Sequence, residues 1–77
     1  MINDAIFAAQ MEFKSSTGKY PKNIYLGRDE MKQLIEWAKE NQYIANVKNI
    51  NIEGDDRPEV CGLFVYEVNS ENHIACT

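Results

Sequence analysis

This sequence has no long apolar run, too few cysteines for a disulfide framework and no export signal, and each absence excludes a class of protein. No stretch approaches the roughly 20 apolar residues that cross a bilayer, so no membrane partner is predicted. Two cysteines, Cys61 and Cys76, are too few for a disulfide framework. The first residues include Asp4 and Glu12 and no basic leader. We therefore expect no signal or transit peptide, reduced thiols and a cytoplasmic location.

Motifs for metals, nucleotides and catalysis are also missing. A structural zinc site needs four ligands in close pairs, whereas Cys61, His73 and Cys76 are three at unsuitable spacing. The acids around Asp55 and Asp56 do not follow the EF-hand pattern, and the glycines form no phosphate-binding motif. We therefore predict no metal and no cofactor. A small Cys/His enzyme remains an alternative, although no orienting group or substrate cleft is indicated.

The composition is that of one folded domain, residues 1–77, with 44 % hydrophobic and 26 % charged residues. Its charge is unevenly placed. Residues 1–52 carry six acids and seven bases, a net of +1, and residues 53–77 carry six acids and only Arg57, a net of −5. This excess of acids disfavours direct binding to nucleic-acid phosphates. It either keeps the protein soluble or matches a basic surface on another protein.

Hydrophobic periodicity predicts an α+β fold with the element order α-β-α-β-β-β. The predicted helices span 3–15 and 29–42, and the predicted strands span 23–26, 47–53, 60–68 and 73–76. We expect Asn3 to cap the first helix and residues 69–72 to form a hairpin turn. The strand at 60–68 is apolar on both faces, which predicts a central position, a buried Cys61 and a bulge or close contact at Gly62. A small, mostly antiparallel sheet with two helices packed against it is the simplest arrangement.

Tyrosines and acids are the best candidates for a contact surface. Tyrosine is enriched at protein interfaces because its ring covers apolar surface while its hydroxyl stays in water. An acidic segment near such rings would attract lysine and arginine. The predicted partner-binding residues are Glu53, Asp55, Asp56, Glu59, Tyr25 and Tyr66.

Two stretches resemble known proteins: YPKNIYLGRDEM from Tyr20 to Met31, with Leu34 after it, and VCGLFVY from Val60 to Tyr66. They resemble small phage-encoded proteins of unassigned role. More distantly, they resemble the segment of tailed-phage major capsid proteins in which a proline-led strand precedes a helix and a Gly-aliphatic-x-Val strand follows. The positions that fit are Pro21, Ile24, Leu26, Leu34, Gly62 and Val65. The chain lacks the long spine helix, extended arm and second domain of a capsid protein.

The resemblance implies a phage or prophage origin, and small acidic phage proteins are often inhibitors of host complexes, anti-CRISPR proteins among them. We therefore hypothesise a non-enzymatic, phage-type protein-binding module in the host cytoplasm. It would inhibit a host defence complex by occluding a basic nucleic-acid-binding surface, without contacting nucleic acid itself. The alternative from a structural class is a virion or head-assembly accessory protein. The sequence is compatible with a monomer or a homodimer.

Overall fold

The computed structural model describes residues 1–41, 47–48 and 58–77. The elements in chain order are helix α1 (Ile2–Thr17), strand β1 (Asn23–Leu26), helix α2 (Arg28–Asn41), and strands β2 (Val47–Lys48), β3 (Glu59–Val60), β4 (Leu63–Glu67) and β5 (Ile74–Cys76). The predicted α+β class is confirmed. No helix in these described ranges has the length and apolar character needed to cross a membrane.

The strands form one mixed sheet in the order β2-β3-β4-β1-β5. Strands β1 and β4 are parallel, and the other three pairs are antiparallel. Parallel neighbours need a long crossover connection, and α2 lies within the crossover between these two. The predicted sheet is therefore mostly antiparallel as expected, but its centre is a parallel pair.

Both helices contribute side chains to a single core on one face of the sheet. The core residues are Ile2 and Ile6 of α1, Leu34 of α2, and Ile24, Leu26, Val60, Leu63 and Val65 of the strands. Full burial of one such side chain stabilises the fold by about 1.5–3 kcal/mol. Because side chains alternate along a strand, the intervening residues of β1 and β4 point to the opposite face.

Helix α1 is longer than predicted, and its ends are formed differently. It begins at Ile2, so Asn3 lies inside the first turn and does not cap it, and no side chain among the described residues caps this end. The other end agrees with the sequence: Gly18 adopts a left-handed φ of 75° and its N–H donates to the Lys14 carbonyl. Glycine is favoured there because a Cβ is unfavourable in that conformation.

The predicted strand over 60–68 is confirmed for Leu63–Glu67, which is the interior strand β4, but it does not begin at residue 60, because the chain reverses at Cys61 and Gly62. Their φ angles are 51° and 79°, and two positive values are what a type I′ hairpin turn requires. Gly62 therefore forms a turn and not a bulge, and a Cβ added to it would contact nothing. Cys61 is exposed at this turn, which corrects its predicted place in the core.

Replacing Cys61 with asparagine should stabilise the protein. Asn-Gly is the preferred pair for a type I′ turn, because asparagine tolerates a positive φ better than other non-glycine residues. We expect Cys61→Asn to raise the free energy of unfolding by about 0.5–1 kcal/mol in urea denaturation. Cys61→Val is the matched control and should lower it, since β-branched residues are strained at positive φ. An unchanged or lower midpoint for Cys61→Asn would contradict this assignment of the turn.

The predicted hairpin at residues 69–72 is also wrong, because β5 pairs with β1 and not with β4. The connection crosses the end of β1 and covers the first turn of α2. The N–H groups of Gly27, Arg28 and Asp29 donate to the carbonyls of His73, Ser70 and Glu71, at 2.9, 2.8 and 3.0 Å. In return, the His73 N–H donates to Glu30 Oε1 at 2.8 Å. These bonds satisfy amide groups that a helix leaves unpaired at its N-terminus.

The predicted strand at 47–53 is described only in part. Val47–Lys48 is a strand, and residues 49–53 lie outside the described ranges.

Candidate functional site: the aromatic face

Three aromatic side chains lie on the face of the sheet that points away from the core. They are Tyr25 of β1 and Phe64 and Tyr66 of β4, and we call them the aromatic face. The parallel register places Tyr25 beside Tyr66, and their rings stack with centroids 5.3 Å apart and an interplanar angle of 20°. Phe64 is 36 % exposed, and both tyrosines are half-buried. Rings at the centre of a sheet are held by neighbouring strands, so this surface is preorganised.

An acid and an amide extend the aromatic face toward the two edges of the sheet. The register places Glu59 of β3 beside Phe64, and Asn23 of β1 on the other side of Phe64. Asn23 Nδ2 donates to Thr77 Oγ1 at 3.3 Å, which orients the amide. Ala75 of β5 lies opposite Tyr25 and leaves that side of the ring without a bulky neighbour on β5. A carboxylate thus adjoins a row of aromatic rings.

This arrangement is suited to binding a cationic side chain. An arginine guanidinium stacks on aromatic rings and also donates paired hydrogen bonds to a carboxylate. Stacking of a cation on a ring contributes about 0.5–1 kcal/mol at an exposed site and more when it is shielded from water. The aromatic face with Glu59 offers both contacts within one surface.

Half of the predicted site residues meet on this surface. Glu59, Tyr25 and Tyr66 share the sheet face, whereas Glu53, Asp55 and Asp56 lie outside the described residues. Phe64 is not among the residues that the sequence predicted for this surface. The signal that could have found it is the alternation from Leu63 to Glu67, which becomes readable only once the turn at residues 61–62 is recognised.

The structure separates two of the three groups of the predicted enzyme alternative, Cys61 and His73. Cys61 lies just before β4 begins, whereas His73 contacts Gly27 just after β1 ends. Because β1 and β4 are parallel, these are opposite ends of the sheet. Partial desolvation raises the pKa of both thiols, Cys76 and also Cys61 at its exposed turn, which lowers the thiolate fraction at neutral pH. In the portion of the chain that the structure describes, no three His, Cys, Asp or Glu side chains cluster as metal ligands would.

Comparison with known proteins supplies no assignment. No protein family model matches the sequence, and no significant match to a curated protein or a solved structure was found. The site must therefore be interpreted from its own chemistry, since a small α+β fold is compatible with many functions.

Proposed function

We propose that this chain is a non-enzymatic protein-binding module whose aromatic face contacts a basic surface of a partner protein. The observation that carries the proposal is the stacked Tyr25–Tyr66 pair, with Phe64 beside it, on the sheet face opposite the core. Tyrosine is among the residues that contribute most to binding energy at protein interfaces. A surface of this kind binds by shape and stacking and needs no reactive group.

Preorganisation supports this function. A side chain that becomes ordered on binding costs about 0.5–1.5 kcal/mol of free energy. Tyr25 and Tyr66 already restrict one another by stacking across adjacent strands. They therefore lose less conformational entropy than isolated exposed tyrosines, and more of their contact energy contributes to affinity.

Charge supports a basic partner over an acidic or apolar one. Glu59 adjoins the aromatic face, and residues 53–77 carry a net charge of −5. Attraction of this kind accelerates association and is screened by salt within a Debye length of about 8 Å at physiological ionic strength. Arginine is the preferred contact because it satisfies both the rings and the carboxylate.

The partner in this proposal is a host defence complex, and the contact blocks its nucleic-acid-binding surface. Lysines and arginines that bind phosphates are the natural complement of an acidic aromatic surface. This identification depends on the resemblance of Tyr20–Met31 and Val60–Tyr66 to small phage-encoded proteins. Inhibition then follows from competition, because a surface occupied by this chain cannot hold nucleic acid.

Affinity capture from a bacterial lysate, with three forms of the chain as bait, tests the proposal. The forms are wild type, Tyr25→Ala/Tyr66→Ala, and Phe7→Ala, which alters an exposed ring on α1. Wild type and Phe7→Ala should retain the same basic, nucleic-acid-binding protein at low salt and release it at high salt. The double variant should not retain it.

Two further measurements test whether the captured protein loses its nucleic acid and whether the double variant is folded. The captured protein, purified alone, should lose its nucleic acid when wild-type chain is added, as measured by fluorescence anisotropy of a labelled oligonucleotide. Circular dichroism establishes that the double variant is folded. Capture that is equal for all three forms, or binding that leaves the oligonucleotide in place, would refute the proposed mode of action.

A further inference from the structure

A second exposed apolar surface lies on α1, on the side of the helix away from the core. Phe7 is 61 % exposed and Met11 is 38 % exposed, although both are large apolar side chains. They are four residues apart and so lie one turn above the other. Asp4 and Lys14 continue the same line at spacings of three residues. We call these four residues the α1 stripe.

The α1 stripe borders a groove with room for side chains of another molecule. The groove has a volume of about 710 Å³. The residues outside α1 that line it are Tyr20, Trp37, Val60 and Cys61. The Lys14 ammonium lies 4.6 Å from the centroid of the Tyr20 ring. The lining is mostly apolar and includes the aromatic residues Phe7, Tyr20 and Trp37.

The α1 stripe is complementary to itself when two helices run in opposite directions. Asp4, Phe7, Met11 and Lys14 are spaced by three, four and three residues, which is the spacing of a coiled-coil seam, with the two apolar residues in the middle and one charge at each end. With the two-fold axis level with Ala9, Phe7 faces Met11 of the second copy, and Asp4 faces its Lys14. Each contact occurs twice. Sulfur beside an aromatic ring is a favourable contact, worth about 0.3–1.5 kcal/mol.

The charges of α1 also favour a second copy over an oppositely charged partner. Residues 1–19 carry two acids and two bases, so two copies of this region meet without net repulsion. The acids that would repel are concentrated in residues 53–77. The Lys14 ammonium donates to the Gly18 carbonyl at 2.8 Å, and two of its three donors remain for a carboxylate.

We propose that two copies of this chain associate through their α1 stripes in an antiparallel, two-fold symmetric pair. The contact involves one helix from each copy, which is at the small end of specific interfaces, so the dimer is weak and concentration-dependent. This dimer goes beyond the proposed function. It leaves the aromatic face of each copy accessible on the other side of the sheet.

Sedimentation velocity over a range of concentrations, with charge-reversed variants, tests the proposal. The wild type should shift from monomer to dimer as concentration rises. Asp4→Lys and Lys14→Glu should each raise the dissociation constant about tenfold or more, because each places like charges opposite one another twice. Mixed in equal amounts, the two variants should form a heterodimer, since every charged contact is again between opposite signs.

Two controls distinguish this register from other ways in which two copies could associate. Glu12→Lys makes the same charge change as Asp4→Lys on an exposed position of α1 outside the stripe and should dimerise like the wild type. Phe7→Ser should be folded and monomeric, because Phe7 is mostly exposed in the monomer. A wild type that remains monomeric at millimolar concentration would overturn the proposal. So would a dimer insensitive to Phe7→Ser, or a mixture of the two charge variants that remains monomeric. None of these outcomes bears on capture of a basic partner by the aromatic face.

Discussion

Tyr25→Ala should weaken binding to the captured basic partner by about 30-fold or more, which corresponds to about 2 kcal/mol. Tyr25 lies on β1, an interior strand of the sheet, and its ring stacks on Tyr66 of β4, the middle strand of the proposed contact surface. Residues that dominate binding energy cluster at the centre of an interface, where water is excluded. Truncation removes the ring and also the stack that orders Tyr66. Isothermal titration calorimetry with the purified partner measures the effect.

Tyr25→Phe distinguishes stacking from hydrogen bonding by the hydroxyl group. This variant keeps the ring, so we expect it to lose less than threefold in affinity if stacking provides the energy, or about 0.6 kcal/mol. Thermal unfolding of both variants serves as the check on folding, because a half-buried ring on a central strand also contributes to stability. Equal losses for Tyr25→Phe and Tyr25→Ala would assign the energy to the hydroxyl and contradict the cation-stacking interpretation.

Gly27→Ala should lower the free energy of unfolding by about 3 kcal/mol, the upper end of what overpacking usually costs. A Cβ at this position would lie 2.7 Å from the His73 nitrogen, 2.7 Å from Glu30 Oε1 and 2.9 Å from the Asn72 carbonyl carbon. Two of these atoms are backbone, so they cannot rotate away. Relief requires the connection between β4 and β5 to move off the end of α2, which breaks its hydrogen bonds to Arg28 and Asp29.

Calorimetry should record this loss as a fall in Tm of roughly 12–24 °C for a domain of this size. Gly18→Ala is the matched control, because its Cβ would contact nothing and only its left-handed φ opposes the substitution. That strain costs about 1 kcal/mol, so the control should lose roughly a third as much stability. If the two variants were equally stable, the close approach of residues 72–73 to Gly27 would not be a feature of the folded protein.

The parts of the fold that could be predicted are those set by neighbours along the chain. The predicted and observed bounds of the strand at 23–26 agree to the residue, because Ile24 and Leu26 alternate with polar neighbours. The predicted and observed bounds of helix α2 agree to within one residue at each end. Leu34 and Ala38, on its predicted apolar side, are buried. In both segments the local pattern and the tertiary packing favour the same structure, so a short segment of the sequence is enough to predict it.

The errors fall where a residue's environment depends on distant parts of the chain. Residues 60–68 are almost all apolar, and this composition hides the turn at Cys61 and Gly62. The hairpin expected at residues 69–72 is the simplest local connection, but β1 pairs with both β4 and β5. The choice between these pairings is made by contacts more than forty residues apart in sequence, such as Ile24 with Val65 and with Cys76.

The candidate site likewise combines residues that could be selected from the sequence with an arrangement that only the fold sets. Tyr25, Tyr66 and Glu59 could be selected from the sequence because tyrosines and acids are common at interfaces. That they share one face with Phe64 follows only from the parallel pairing of β1 and β4. The helices, the first strand and the uneven charge are encoded locally, because they depend on side chains close together in the chain. Which rings stack and which remain exposed is set by three-dimensional packing, because strand pairing joins residues whose separation in sequence carries no periodic signal.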